Sequence, residues 1–206
     1  MLSREPMEHE EELKMLIDEP VATRWIGPHR HIIAYPVRNH ELFNIVLLHP
    51  DEHGAEESWT TTASKMDMLK HYHGWDPRMT KLLNLVKDDE VLEWKLCSYP
   101  PLQTWIEGSV AMTGDACHPV LPYVAQGAAQ AVEDAAALGV LLSVISSFDE
   151  IPKALRAYKA SRKLRAEAVQ QSGTVNRATL HLPDGLDQQA RDEQFRASMK
   201  GGGAKL

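Results

Sequence analysis

Residues 114–139 read GDACHPVLPYVAQGAAQAVEDAAALG, and the types and spacing at the head of this stretch can hold a polar ligand. Asp115 follows Gly114 at the end of a short apolar run, which places a carboxylate where a strand meets a loop. A carboxylate there accepts hydrogen bonds from the hydroxyls of a sugar or sugar alcohol. Pro119 and Pro122 stiffen the following path by fixing φ. Gly127 lets backbone approach a ligand closely, and a helix that begins there with Ala128 offers unsatisfied N–H groups to an electron-rich edge. Spacing alone leaves a second reading open, in which Asp115 caps a plain strand–loop–helix connection and His118 is a structural hydrogen-bonder.

His31 and Tyr35 form a second candidate pair in the run HIIAYPVR. They lie four apart, so a strand puts both on one face with Ile33 between them, while Ile32 and Ala34 take the opposite face. An imidazole and a phenol at either end of an apolar wall can orient a ligand or help move a proton. They can equally be half-exposed polar residues of an ordinary strand. Trp25 and Trp94 read as core, Arg38 as surface or as an anchor for a substrate carboxylate, and Arg162 and Arg165 as a solvated or packing face.

The elements that must position these groups are mixed. Residues 1–20 are charged and helical in character. HIIAYPVR and ELFNIVLLHP, separated by Asn39-His40, read as a hairpin. SWTT (58–61) and VLEWKLCSY (91–99) read as further strands, and 108–113 as a short buried one. Residues 64–88 carry helical periodicity broken near Gly74 and Pro77. Helices are expected over 127–147 and 151–170, then an irregular tail from about 181.

The 206 residues have a net charge of −7, which opposes non-specific nucleic-acid binding. Two cysteines are too few for a disulfide framework and fit a reducing, cytoplasmic setting. No apolar run approaches the roughly 20 residues that span a bilayer.

The Gly-Asp stretch resembles the corresponding segment of the class A FAD-dependent monooxygenases, the salicylate-hydroxylase-like and para-hydroxybenzoate-hydroxylase-like family. W25-I-G-P-H-R-H-I-I-A-Y-P-V-R38 and E41-L-F-N-I-V46 are similar to that family's substrate-domain strands. G74-W-D-P77, W94-K-L-C-S-Y-P-P-L102 with Trp105, R162-K-L-R165 and H181-L-P-D-G185 follow in the family's order, so the resemblance covers nearly all the chain. It implies an α+β fold: a partial substrate-binding domain over 1–105, the C-terminal part of the FAD-binding domain over 106–180, and the tail over 181–206.

The resemblance also implies chemistry. FAD, reduced by NAD(P)H, activates O₂ and hydroxylates an electron-rich ring of a phenolic or polyketide-type small molecule. It implies that Asp115 binds the ribityl chain and that Gly114, Pro122, Gly127 and Ala128 form the flavin-facing loop and helix start. His31 and Tyr35 are then the candidate catalytic pair. Two departures accompany the match. Ala125 stands where many relatives carry Gly, and no G-x-G-x-x-G turn for the FAD pyrophosphate occurs. The expectation is a C-terminal half, not active on its own, that either works with an upstream complementary polypeptide or is part of a longer enzyme. A non-redox ligand-binding or isomerising descendant, or a fragment without function, remains open at this point.

Overall fold

A computed structural model describes residues 1–51, 58, 60–88 and 90–200, the last two by backbone alone. The chain divides into two compact units, Met1–Lys95 with Leu180–Leu206, and Leu96–Thr179.

The first unit is built on a four-stranded antiparallel sheet. Strands β1 (Leu2–Ser3), β2 (Thr23–Gly27), β3 (Arg30–Val37) and β4 (Leu42–Leu48) lie in the order β1-β4-β3-β2. The β3–β4 hairpin forms where Asn39-His40 predicts it. Arg38, Asn39 and His40 all take left-handed backbone, with φ of 50°, 53° and 66°. Asn tolerates that region better than most residues. Alternation then sorts the sheet. Trp25, Ile32, Ala34, Phe43, Ile45 and Leu47 share the core face with Met7, Leu13 and Ile17 from helices α1 (Arg4–Met7) and α2 (Glu11–Asp18).

Helices α3 (Lys65–His71) and α4 (Pro77–Asn84) add Met68, Met79, Leu82 and Leu83 to this core. Asp76 caps α4 by accepting the Arg78 N–H at 2.9 Å, and Pro77 supplies the preset first turn. The same carboxylate accepts the Trp25 indole N–H at 3.1 Å, which ties the helix start to β2.

Three sequence expectations change here. Residues 91–99 form no strand; Leu92 makes a single bridge with Thr62, and Trp94, Leu96 and Tyr99 are exposed. Alternating hydrophobicity without a neighbouring strand is not enough to make one. In the SWTT segment Trp59 lies outside the described residues, and its described members belong to no strand. The tail is not irregular: helix α7 (Leu186–Lys200) follows the Asp184-Gly185 turn. Buried Arg191 holds it by donating from Nη1 to the Leu180 carbonyl at 3.1 Å.

The second unit carries two short strands, β5 (Ile106–Glu107) and β6 (Val110–Ala111), turned by Gly108 at φ 55°. The strand expected to be buried here is two residues long, and Val110 is 68% exposed. Short 3₁₀ turns at Gly114–Ala116 and Pro122–Val124 lead to α5 (Gly127–Ser143). A third turn at Phe148–Glu150 leads to α6 (Ile151–Leu180). Trp105, Cys117, Tyr158 and Ala166 form the core of this unit, joined by Leu138 and Leu141.

Helix α5 ends four residues before the expected 147, whereas α6 runs ten residues past 170. Gly173 looks like a stop signal but serves as a contact. A Cβ there would stand 3.2 Å from the Leu121 carbonyl oxygen, so its absence lets α6 close on the loop before α5.

Candidate functional site

The Gly114–Gly127 loop presents its polar groups in two layers. Asp115, Pro122 and Ala128 are exposed, and Gly127 is half-buried. A Cβ on Gly127 would lie 3.9 Å from Asp115 Oδ1, so the carboxylate stands at the N-terminus of α5. Gln126 makes no side-chain cap bond there, and the first turn of α5 carries no acidic residue. Among the described residues Asp115 has no side-chain hydrogen bond or ion pair. A free acceptor and uncapped helical donors therefore sit side by side. Ala125, at φ 52°, makes the last bend before the helix in place of a glycine.

Beneath this rim lies a buried ionic network that the sequence did not disclose. Asp134 is fully buried and accepts three hydrogen bonds. They come from the Gly114 N–H at 3.0 Å, His118 Nε2 at 2.6 Å and Arg162 Nε at 2.9 Å. Arg162, 6% exposed, also donates to the Gln130 side-chain oxygen at 2.9 Å and pairs with Glu133. Arg165 completes the set through two bonds to Glu133, at 2.8 and 3.0 Å.

Burial pushes the Asp134 carboxyl up, but its Gly114, Arg162 and His118 partners outweigh burial and hold it below the usual range. Arg165 and Arg162 hold Glu133 down to about 2, against a smaller opposing effect of burial. Burial pushes the Cys117 thiol up to about 12. Cys117, His118 and Asp134 bring their ligand atoms within 4.8 Å of one another. The protonated thiol and the guanidinium already on Asp134 disfavour a cation there.

In the first unit, alternation puts His31, Ile33 and Tyr35 on the sheet face opposite the core, as their spacing requires, with Ile32 and Ala34 buried on the other side. His31 itself is only 2% exposed, because the segment before α7 covers it. Its Nδ1 lies 2.8 Å from His181 Nε2, and the His29 N–H donates to the His181 carbonyl at 3.3 Å. Burial, with the neighbouring His181 and Arg24, pushes its pKa down to about 3. This ring is neutral at ordinary pH and acts as a hydrogen-bonding group.

Tyr35 is half-buried and borders a shallow depression of about 310 Å³ with Pro20, Val21 and His40. Arg24, which sequence reasoning passed over, pairs in register with Ile33, which in turn pairs with Val46. It is exposed and has no ion-pair partner among the described residues, and partial desolvation of its guanidinium lowers its pKa. Trp25 is core as expected, whereas Trp94 is 40% exposed.

The loop's chemistry is compatible with a polyol: a carboxylate such as that of Asp115 can accept from hydroxyls, the open α5 terminus can donate, and Gly127 leaves the approach clear of a side chain. The chain belongs to the class A FAD-dependent monooxygenases, and the family described as FAD binding domain matches residues 7–172.

The FAD-dependent monooxygenase ntnJ of Nectria sp is 45% identical over 197 residues, covering 96% of this chain and 47% of that relative. The 3-amino-4-hydroxybenzoate 2-monooxygenase PtmB3 of Streptomyces platensis is 32% identical, covering 89% of this chain and 45% of the relative. Among solved structures, a salicylate hydroxylase substrate complex superposes with a TM-score of 0.78 at 23% identity, covering 96% of this chain and 50% of that one. The chain thus spans about half the length of the curated relatives it matches. No helix among the described residues is long and apolar enough to cross a membrane.

Proposed function

We propose that this chain forms the substrate-facing and ribityl-binding half of an FAD-dependent monooxygenase that hydroxylates a phenolic or polyketide-type aromatic molecule. The observation that carries this reading is the Asp115 carboxylate, without a side-chain partner among the described residues, beside the uncapped start of α5. Bound FAD, reduced by NAD(P)H, would supply activation of O₂ and delivery of one oxygen atom to the ring. The residues of this chain bind and orient. Asp115 accepts from a ribityl hydroxyl, and the N–H groups at Gly127 and Ala128 donate toward the flavin. Gly114 and Pro122 fix the shape of the loop.

On the sheet face, the Tyr35 hydroxyl accepts or donates at the ring hydroxyl of the substrate. Neutral His31 steadies that face through His181. Arg24 meets an anionic substituent or the phenolate oxygen, whose negative charge raises the electron density of the ring. These 206 residues contain no glycine turn for the pyrophosphate, and the proposed setting is cytoplasmic.

The test is Asp115→Ala in the complete or complemented enzyme, with flavin affinity as the readout. Loss of a charge-assisted hydrogen bond should weaken binding by about 1.5–3 kcal/mol. Flavin affinity equal to that of the parent would refute the assignment. The 206 residues alone should release FAD on gel filtration, since no glycine turn in this sequence meets the adenosine diphosphate half.

A further inference from the structure

Asp134 is the eighth residue of a helix dominated by alanine, valine and leucine, where folding alone asks for no charge. Its carboxylate is buried and fully occupied, and two of its three donors, Gly114 N–H and His118 Nε2, belong to the segment that carries Asp115. We propose that Asp134, anchored by Arg162, is a positioning residue that locks the Gly114–His118 turn and so holds Asp115 beside the open end of α5. The proposal rests on the reading of Asp115 as the ribityl ligand and names the device that aims it.

The geometry gives Gly114 the role of pivot. It sits at φ 59°, and a Cβ on it would stand 3.3 Å from Ala131 Cβ, so the turn is pressed against α5. Its N–H is held by Asp134. Its carbonyl accepts the N–H groups of Cys117 and His118, both at 3.0 Å. The Asp115 side chain makes no bond of its own within the described residues, so its direction is inherited from this pivot.

His118 adds a second brace. Its Nδ1 is buried with no hydrogen-bond partner among the described residues, so the ring, packed on Trp105, hydrogen-bonds there through Nε2. Facing a carboxylate that accepts on every side, Nε2 must carry the proton, which fixes one tautomer. Arg162 comes from α6, 28 residues further on, and supplies the positive charge that lets Asp134 stay ionised in the interior. An asparagine at 134 has one acceptor oxygen for three donors, so at least one brace is lost.

The experiment compares the 206-residue chain with its Asp134→Asn, Arg162→Lys and Asp115→Asn variants. Amide hydrogen exchange is followed along the chain, and riboflavin and FAD are titrated by flavin fluorescence. Asp134→Asn should speed exchange over 113–120 about tenfold or more, the worth of one charge-assisted bond, with α3 and α4 unchanged. Arg162→Lys, which keeps the charge but loses the fork, should do the same to a smaller extent and stands in if Asp134→Asn fails to fold. Riboflavin affinity should fall in step with exchange at 113–120.

Exchange at 113–120 that stays at the parent rate, or a loss spread evenly over Leu96–Thr179, overturns the positioning role. Asp115→Asn should weaken riboflavin binding and leave exchange untouched. If its affinity is unchanged, the Asp115 reading fails, while the exchange arm still judges Asp134.

Discussion

Arg162→Met removes the cation from the buried network and keeps most of the side-chain volume. In the parent, Asp134 has three donors; in the variant it keeps the Gly114 N–H and His118. Breaking a buried ion pair from one side costs about 3–5 kcal/mol. Two remaining bonds shelter the carboxylate, which places the expected loss at the lower end, about 2–4 kcal/mol. Glu133 retains Arg165 and adds little, because that pair is largely solvated.

Urea unfolding followed by tryptophan fluorescence measures the loss, read as a lower midpoint with an unchanged slope. The pH dependence carries a second signature. In the parent, the folded carboxyl of Asp134 is held below its usual value. Its contribution is therefore present above the unfolded value and is lost as pH falls through the folded one. Without Arg162 the folded value rises, so the penalty should be largest near neutrality and shrink as the medium becomes acidic. The double variant Asp134→Asn with Arg162→Met should be less destabilised than the sum of its singles. A loss under about 1 kcal/mol that does not vary with pH would refute the account of Asp134 as a buried anion that needs its partner.

Two further outcomes follow from contacts in the fold. A Cβ on Gly27 would meet Trp75 Cζ2 at 2.7 Å, so Gly27→Ala should destabilise the first unit by about 1–3 kcal/mol, and Trp75→Leu in the same chain should recover part of it. A thermal melt of the two variants decides the point, and a Gly27→Ala protein as stable as the parent excludes the clash. Cys117 is buried with its thiol pushed up to about 12, whereas Cys97 is exposed, so a thiol reagent at neutral pH should label Cys97 alone until the chain is unfolded. Rapid labelling of both sites in the native protein would show that the Trp105–Tyr158 core is open.

The hairpin, the α5 start and the division of β3 into two faces were legible because each is a local matter. Asn39-His40 signals the turn, Gln126-Gly127 opens an alanine-rich run, and alternation sorts Ile32 and Ala34 from His31, Ile33 and Tyr35. The Gly-Asp loop was legible through its resemblance. What stayed hidden depends on distant pairs. Arg162 looks like one more charge in RKLR, and only the packing of α6 on α5 makes it the counterion of Asp134. A signal existed in the Glu133-Asp134 pair, the two charged residues of an alanine-rich helix, which must find cations or solvent. Residues 91–99 misled for the opposite reason, since they have the alternation of a strand but no strand to pair with. The burial of His31 was not legible, because the sequence cannot say that His181 will cover it.

The His31–His181 contact joins residues 150 positions apart, within a unit assembled from both ends of the described chain. Synthesis proceeds from the N-terminus at about 5–20 residues per second, so β3 leaves the ribosome many seconds before residue 181 exists. The segment Leu96–Thr179 is continuous and can gather its own core as it emerges. The sheet must wait for residue 181 to bring its strap. Until then the outer face of β3 is open to solvent and to chaperones.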